Sequence, residues 1–442
     1  MLVSLRETTD PKLRWVNHAG YFLTSGRSRL LCDPWVDGLA FHHGWSLLAP
    51  CAPNVDLADA THIWFSHEHP DRFSPQTLRR RLSTERRAQV QILFQTTNDR
   101  KLVGFCRGLG FADCVEMDSG QTTEIPDMRL EIGKGQNHTD SWLLAETGGF
   151  RVLNMNDCAP READLPSIRD RVGKVDILLT QFSYANWVGN PDEPDRHKAA
   201  AARKLDELRK QVETFDPRWV IPFASFVRFC QQENAFMNAE ANTVHRAVEV
   251  IEELGRTPVV LFPGDEWVLG AAHDNTSALD RYAAAYVAAA KEPLRAFPRI
   301  SEEALARSAT KFARRLLARN DRRKLLGFPP FSAFLTDEDR AVEFSFATGL
   351  TPSTHQREGC DVALAAATLQ YCFEQLWGFR TLEVSGAYAK PPRGDFARLA
   401  PYDWVATLNN RGVCVPALWV RILNRLGWRG GRRLSTKPAS VK

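Results

Sequence analysis

The sequence predicts a layered α/β fold. Short β-rich runs dominate the first half of the 442-residue chain, such as Thr61–Phe65 and Val90–Phe94. Helical patterns are interleaved later, as at Arg196–Thr214. Because strands come first and helices join afterwards, this order fits stacked layers better than a doubly wound sheet, in which strands and helices alternate throughout.

The individual elements follow from periodicity and turn residues. Strands are predicted at Arg14–Thr24, Arg29–Cys32, Thr61–Phe65, Val90–Phe94, Ser141–Glu146, Phe150–Met155, Val175–Thr180, Arg218–Phe223 and Pro258–Phe262. Helices are predicted at Asn98–Leu109, Arg196–Thr214, Ala239–Leu254, Leu279–Lys291, Ser301–Lys324 and Asp361–Leu376.

The character of the chain changes between residues 270 and 300, where helical patterns take over. We therefore expect a first domain over residues 1–275 and an α-rich domain over residues 276–427. Residues 428–442 carry glycine, arginine, serine and lysine with few apolar residues, which predicts a disordered tail.

Composition argues for an ordinary globular protein. Apolar residues make up 44% and the formal net charge is +4, so overall charge does not favour nucleic acid or a membrane. The N-terminus lacks a signal-peptide core and no run reaches the roughly 20 apolar residues of a membrane span, so we expect a cytoplasmic location. The basic stretch Ser301–Lys324 is interpreted as a solvated helix face rather than a nucleic-acid or lipid surface.

Nine cysteines are widely scattered, which argues against a disulfide scaffold. The sequence contains no Cys-x-x-Cys, and no cysteine is followed by a histidine two residues on. Zinc-ribbon and Rieske-type clusters therefore have no ligand pattern here. Cys158, beside Asp157, is interpreted as a buried thiol rather than a ligand.

The informative segment is Ser66–Arg72 (SHEHPDR), a polar stretch that directly follows an apolar strand. His67 and His69 stand at i and i+2, so in extended chain their imidazoles point the same way and can share one metal ion. Asp71 adds a hard oxygen ligand, and this donor set suits zinc, iron or manganese. The alternative is a solvated polar loop, which a position right after a buried strand makes the weaker interpretation.

The segment His67-Glu68-His69-Pro70-Asp71 resembles the H-x-H-x-D-H motif of the metallo-β-lactamase superfamily. The resemblance is nearest to a branch that includes the catalytic part of cytidine monophosphate-N-acetylneuraminate hydroxylase and lactonase-like metal hydrolases. It extends to Asn17–Gly20, Cys32–Trp35, Phe41–Leu47, Asp140–Trp142, Val152–Cys158 and Val220–Ala224. The resemblance implies a four-layer αββα fold over residues 14–270, with an appended, mostly helical C-terminal region.

By this resemblance, His67, His69 and His138 are metal ligands, and Asp157 bridges or caps the metal. The same resemblance places His18 near the metal cavity. A surface histidine is the alternative for His138, and an Asx-turn aspartate is the alternative for Asp157.

Some members of this family bind two metals. The sequence departs from those members at two positions that hold the second metal. The sixth motif position is Arg72, and Ala224 follows the strand after which a late histidine is often found. Arginine donates no lone pair, and one unit charge about 4 Å from another costs on the order of 4 kcal/mol, which a dication doubles. We therefore expect one divalent metal, with zinc favoured over iron or manganese. Arg72 either anchors an anionic substrate group or turns outward to solvent.

These expectations favour a metal-dependent hydrolase acting on an ester, lactone, amide or phosphodiester of a small molecule, anionic or like a sugar nucleotide. Asp71 would orient the metal-bound water or act as general base. The alternatives are an iron-dependent oxygenase with an external electron donor and a non-catalytic member that binds a sugar nucleotide. Tyr184–Trp187 either shapes the pocket or packs in the core.

Overall fold

A computed structural model of the protein describes residues 10–135, 140–158 and 160–416. His138 and the tail predicted at 428–442 lie outside the described residues. Contacts divide the chain into two compact units, with divisions at Cys230/Gln231, Asn234/Ala235 and Leu294/Arg295. Among the described residues, no helix combines the length and apolar character that crossing a membrane requires.

The described strands are β1 Lys12–Asn17, β2 Gly20–Ser25, β3 Ser28–Cys32, β4 Trp45–Leu47, β5 His62–Phe65, β6 Gln91–Gln95, β7 Asp113–Met117, β8 Thr122–Ile125, β9 Met128–Lys134, β10 Ser141–Thr147, β11 Phe150–Asn156, β12 Ile177–Gln181, β13 Trp219–Phe223, β14 Val227–Phe229, β15 Thr257–Pro258, β16 Glu266–Val268, β17 Phe331–Leu335, β18 Arg340–Ser345, β19 Gly349–Ser353 and β20 Val362–Leu364. The described α-helices are α1 Pro75–Arg81, α2 Thr84–Arg87, α3 Lys101–Gly108, α4 Leu165–Val172, α5 Pro194–Phe215, α6 Val244–Glu253, α7 Thr276–Lys291, α8 Glu302–Leu317, α9 Arg322–Leu326, α10 Ala366–Glu374, α11 Gly378–Ser385 and α12 Ala400–Asn410.

The first unit is built on two seven-stranded mixed sheets. The first has the order β16-β1-β2-β3-β5-β6-β7 and the second the order β15-β13-β12-β11-β10-β9-β8. Strands β3, β5, β6 and β7 run parallel, and so do β11, β12, β13 and β15. The remaining pairs in both sheets are antiparallel.

The side chains of the first sheet alternate between its two faces, and this alternation explains the order of the layers. Residues such as Leu30 and Trp64 belong to the core shared with the second sheet, whereas their neighbours Ile63 and Phe65 belong to a separate cluster. That second cluster also contains Leu78 of α1 and residues of α3. Because successive side chains of a strand point to opposite faces, one face packs on the other sheet and one on helices.

Helices α5 and α6 pack against the second sheet, at β12, β13 and β15. Their apolar side chains, including Leu208, Val212 and Ile251, are buried in the same cluster as β12. The order of layers is therefore helix, sheet, sheet, helix, and the predicted αββα arrangement is confirmed.

A direct link joins the two sheets where β5 ends and β10 begins. The backbone N–H and the hydroxyl of Ser141 both donate to the carbonyl oxygen of Ser66, at 3.1 and 2.7 Å. The segments that follow β5 and β11 leave their sheets at the carboxyl ends of parallel strands, where ligand sites of α/β proteins are usually built.

Several predicted elements differ from the structure. Arg14–Thr24 is two strands, because the chain turns between Asn17 and Gly20 with His18 at φ +39°. Pro258–Phe262 pairs as a strand only at its start, in β15. Ser301–Lys324 is two helices, since Asp321 lies outside both and accepts a hydrogen bond from Arg323 N at the start of α9.

The second unit contains helices, as expected, and also a four-stranded sheet of order β19-β18-β17-β20 that the sequence analysis did not predict. Strand β20 and helix α10 share the stretch predicted as one helix. Helix α7 belongs to the first unit, where Tyr282 donates to Leu261 O and stacks on Phe226 at 4.5 Å. The contact-based division at Leu294/Arg295 places α7 entirely within the first unit.

Gly133 provides a test of the sheet packing. It pairs with Trp142, and a Cβ added at Gly133 would lie 1.9 Å from the indole of Trp142. We expect Gly133→Ala to destabilise the protein by about 1–3 kcal/mol through overpacking, as measured by urea unfolding.

The matched control is Gly108→Ala, because Gly108 lies in α3 with no atom within 4 Å of an added Cβ. We expect this helix substitution to be neutral or stabilising by up to about 1 kcal/mol. Equal effects of the two substitutions would contradict the packing of Trp142 over Gly133.

Candidate metal centre

The loop after β5 is fixed at both ends. Its start accepts the hydrogen bonds from Ser141, and its end forms a turn in which Arg72 N and Phe73 N donate to His69 O. The Phe73 ring is buried and packs edge-on against Phe65, with centroids 5.1 Å apart. The side chains between these anchors are therefore held by the core rather than by the loop alone.

The structure brings His67, His69 and Asp71 together. Their ligand atoms all lie within 4.8 Å of one another, and the two imidazole centroids are 4.5 Å apart. His67 and Asp71 are buried, whereas His69 is exposed and contacts Phe41 edge-on at 5.5 Å. The cluster is therefore shielded from solvent at His67 and Asp71 and exposed to solvent at His69.

The orientation of His67 is set by its neighbours. Its Nδ1 lies 3.0 Å from Ser66 Oγ and 3.9 Å from Asp140 Oδ1. Its Nε2 lies 3.6 Å from Asp157 Oδ2 and has no hydrogen-bond partner among residues 10–135, 140–158 and 160–416. Burial lowers the pKa of His67, but Asp157 and Asp140 outweigh it, so the pKa is raised. A histidine whose Nδ1 is held by polar neighbours presents Nε2 as the ligand atom.

Within the described part of the chain, His67 Nε2, Asp71 Oδ1 and Asp157 Oδ1 are buried and have no hydrogen-bond partner. Buried polar atoms are normally satisfied, and orphaned ones call for a missing water or ion. Imidazole nitrogen with carboxylate oxygen is a donor set that zinc and iron both accept. These residues therefore fit a divalent metal.

Arg72 is buried to 1% exposure and points inward, not to solvent. Its Nη1 lies 2.6 Å from Asp71 Oδ2, its Nη2 lies 3.4 Å from Asp157 Oδ2, and its Nε donates to Asn156 Oδ1 at 2.9 Å. Burial alone would lower the pKa of Arg72, but Asp71 and Asp157 raise it. The guanidinium is a fixed cation beside the metal ligands, and its contacts are already filled by the protein.

The same cation sets the ionisation of Asp71. Burial would raise the pKa of this carboxyl, but the guanidinium of Arg72 outweighs burial and brings the pKa well below its ordinary value. Asp71 is therefore ionised, with Oδ2 held by Arg72 and Oδ1 left for another partner. A carboxylate with so low a pKa is a weak base but a good hydrogen-bond acceptor or ligand.

His18 is neutral with a defined tautomer. Arg72 Nη1 lies 2.6 Å from His18 Nε2 and can only donate, so Nε2 is the unprotonated nitrogen and Nδ1 carries the hydrogen. Burial, followed by Arg72, lowers the pKa of His18 to about 4. The contact of Asp71 Oδ2 with His18 Nε2 at 3.3 Å is then a contact between two acceptors that share one guanidinium.

Asp33 and Asn156 form the support behind Arg72. Asp33 Oδ1 accepts from Ser66 N at 2.8 Å, and Asp33 Oδ2 accepts from Asn156 Nδ2 at 3.2 Å. Burial raises the pKa of Asp33 to about 6, although Arg72 opposes the rise. Asn156 thereby joins Asp33 to Arg72 and fixes the plane of the guanidinium.

Of the predicted site residues, the structure brings together His67, His69, Asp71, Arg72, His18 and Asp157. His138 lies outside the described residues. Sequence analysis missed the supporting roles of Ser66, Asp140 and Asn156. Only Asn156 carried a signal, as a polar residue at the end of a buried strand beside Asp157.

No family model matches the chain. The chain is 29% identical over 239 residues to a protein of Mycolicibacterium smegmatis named as a Rieske 2Fe-2S iron-sulfur protein, covering 50% of this chain and 45% of that one. It is 25% identical over 263 residues to cytidine monophosphate-N-acetylneuraminic acid hydroxylase of Danio rerio, covering 54% and 42%. The chain spans about half the length of the curated relatives it matches.

A solved structure named as a possible metal-dependent hydrolase from Veillonella parvula aligns with a TM-score of 0.44 and 13% identity, over 59% of this chain and 100% of that one. The two mixed sheets in αββα order, with the His-x-His-x-Asp loop at the end of β5, decide the classification. The chain therefore has the metallo-β-lactamase fold. Within this metallo-β-lactamase fold, Arg72 stands at the motif position where the family usually has histidine.

The neutral, buried imidazole of His18 makes a testable contribution to the pH dependence of the protein's stability. In the metal-free protein, the unfolded chain binds a proton at His18 below about pH 6.5, whereas the folded chain does so only near pH 4. The contribution of His18 to the free energy of unfolding should therefore fall on acidification, by about 2 kcal/mol at pH 5 relative to pH 7. His18→Gln keeps an acceptor near Arg72 without titrating and should lack this loss in urea unfolding.

Asp33 acts in the opposite direction, because its raised pKa favours the folded state as pH falls below about 6. Both proteins retain Asp33, so the comparison between them isolates His18. An identical pH dependence in the two proteins would contradict a neutral, buried His18.

Proposed function

We propose that this protein is a hydrolase that uses one divalent metal, held by His67, His69 and Asp157 with Asp71 alongside, and with His138 as a further ligand. The observation that carries the proposal is the set of orphaned buried atoms, His67 Nε2, Asp71 Oδ1 and Asp157 Oδ1, beside an exposed His69. This arrangement leaves an open side for water and substrate, as catalytic metal sites require.

When bound, the metal would lower the pKa of a coordinated water and polarise the scissile carbonyl or phosphoryl group. The role of Asp71 in this scheme is to orient that water through Oδ1. Because Arg72 keeps its pKa low, Asp71 would act as a hydrogen-bond acceptor rather than as the proton acceptor. Ser66 and Asp140 would hold the His67 ring in position.

Arg72 supports the proposal of a single metal. Its guanidinium lies against Asp71, Asp157 and His18, so a second cation placed among the same groups would be repelled by on the order of 4 kcal/mol per unit charge about 4 Å away. A guanidinium also supplies no lone pair. Since its contacts are filled by protein atoms, it would act as a fixed counter-charge rather than as the substrate anchor.

The metal ligands are tested by His67→Ala/His69→Ala. We expect the purified wild type to hold about one zinc per chain by elemental analysis and the double variant to lose it while keeping its circular dichroism, because loss of two of the ligands leaves too few donors. His62→Ala, at the start of strand β5 before the loop, is the control and should keep the metal.

Hydrolysis of any member of a panel of lactones, nitrophenyl esters and phosphodiesters should disappear with the metal. Metal that stays bound in the double variant would contradict the proposal that His67 and His69 are its ligands. Oxygen from labelled water should enter the product.

The proposal of one metal is tested by Arg72→His. The new imidazole would supply the missing lone pair and remove the fixed cation, so zinc in excess should rise from about one to about two per chain. Arg72→Gln is the control, because it removes the charge without adding an imidazole, and it should stay at one. Two metals in the wild type, or one in the histidine variant, would contradict the role given to Arg72.

The second candidate is an iron-dependent oxygenase. It is favoured by the 25% identity to the hydroxylase of Danio rerio, and two histidines with carboxylates suit iron as well as zinc. Iron in the protein as purified, and product oxygen derived from O2 rather than water, would replace the hydrolase proposal. Protein that binds neither metal would be a non-catalytic member.

A further inference from the structure

A cavity of about 310 Å³ lies in the first unit, and none of its lining residues belongs to the metal centre. Its walls are the loop after β12 and one face of α5. The residues that matter for its chemistry are Tyr184, Trp187, Arg196, Arg203, Lys204 and Glu207. A volume near 300 Å³ is the lower end of the range for small-molecule sites.

The cavity opens at the same edge of the second sheet as the metal centre. Strands β11 and β12 are parallel neighbours; Asp157 follows the first, and the loop bearing Tyr184 follows the second. A series of ring contacts joins the two places. It runs from Tyr184 to Phe229 at 6.5 Å, then to Trp45 at 5.7 Å, to Phe41 at 4.5 Å and to His69 at 5.5 Å.

The charged lining is predominantly cationic. Lys204 pairs with Glu207 at 2.8 Å, and Arg196 pairs with Glu193 at 2.9 Å. Arg203 is exposed and makes no ion pair to any residue that the structure describes. An unpaired guanidinium presents a planar set of donors that matches the oxygens of a phosphate.

The apolar lining is aromatic. The guanidinium of Arg196 lies over the Trp187 ring at 5.2 Å, which fixes the indole in the wall. Tyr184, a second aromatic residue of the lining, donates its hydroxyl to Met237 O at 2.6 Å, so its hydroxyl hydrogen is already used within the protein. Ring faces of this kind bind flat, apolar groups by stacking.

We propose that this cavity binds a phosphate monoester carried on a flat ring, with Arg203 contacting the phosphate and Trp187 and Tyr184 contacting the ring. We further assign it to the non-reacting part of the substrate, a step that rests on the proposed hydrolase function. The binding itself does not depend on the metal.

The test uses phenyl phosphate and isothermal titration calorimetry on the full chain carrying His67→Ala/His69→Ala, so that ligation to a metal cannot contribute. We expect saturable binding, and we expect Arg203→Glu in that background to raise Kd at least about tenfold, or about 1.4 kcal/mol. Trp187→Leu should raise the Kd for phenyl phosphate and leave that for inorganic phosphate unchanged. Circular dichroism checks that each variant is folded.

The matched control is Lys198→Glu, which makes the same change of charge on the same helix at an exposed residue outside the cavity. It should leave Kd within about twofold of the parent. Three outcomes would overturn the proposal: no saturation up to about 10 mM, equal weakening by Lys198→Glu, or inorganic phosphate binding as tightly as phenyl phosphate. If phenyl phosphate binds as stated but the wild type holds no metal and hydrolyses none of the test substrates, the result would contradict the proposed function. It would still support the assignment of the cavity.

Discussion

The buried guanidinium of Arg72 is the interaction on which the rest of the site depends. It contacts Asp71, Asp157, His18 and Asn156, from segments as far apart in sequence as residues 18 and 157. Breaking a buried ion pair by removing one partner typically costs about 3–5 kcal/mol, because the remaining charge is left uncompensated. Two carboxylates would be left in that state here, so Arg72 is what allows them to be packed together.

This fixed cation also makes the two oxygens of each carboxylate unequal. Each of the two carboxylates places Oδ2 on Arg72, and its Oδ1 has no hydrogen-bond partner among the residues that the structure describes. The positive charge that holds them is part of the fold, so these ligands are arranged before any ion arrives. Preorganised ligands lower the free-energy cost of binding, because the side chains are already ordered.

The sequence was sufficient for the parts of the site that are local. The i and i+2 spacing of His67 and His69 predicts that their imidazoles converge. The apolar strand before them predicts that the loop begins at a fixed position in the sheet. The direction of Arg72 could not be read in the same way. Its partners Asn156 and Asp157 lie some 84 residues further along the chain, and nothing near Arg72 indicates that β11 will end beside it.

The C-terminal sheet escaped prediction for a related reason. Strands β17, β18 and β19 form hairpins whose residues are buried on both faces in β17, so the alternation that marks a half-buried strand is absent there. Strand β20 is three residues long and pairs with β17 from 29 residues away. Short buried runs cannot be distinguished from helix by periodicity alone, and here the apolar helix α10 followed at once.

The backbone around the centre explains which residue types stand there. His18, Asp33, Asn156 and Ala224 all have positive φ at the ends of strands that surround the site. Histidine, aspartate and asparagine tolerate this conformation better than most other residues, and they are also the types that hold metals and guanidinium groups. Ala224 is the exception, since alanine has no such tolerance and contributes no polar side chain. Its strain is retained because its N–H donates to His18 O, which ties the end of β13 to the turn that carries His18. Ala224 therefore contributes to the centre through its backbone, which holds the turn that carries His18, and not through a side-chain ligand.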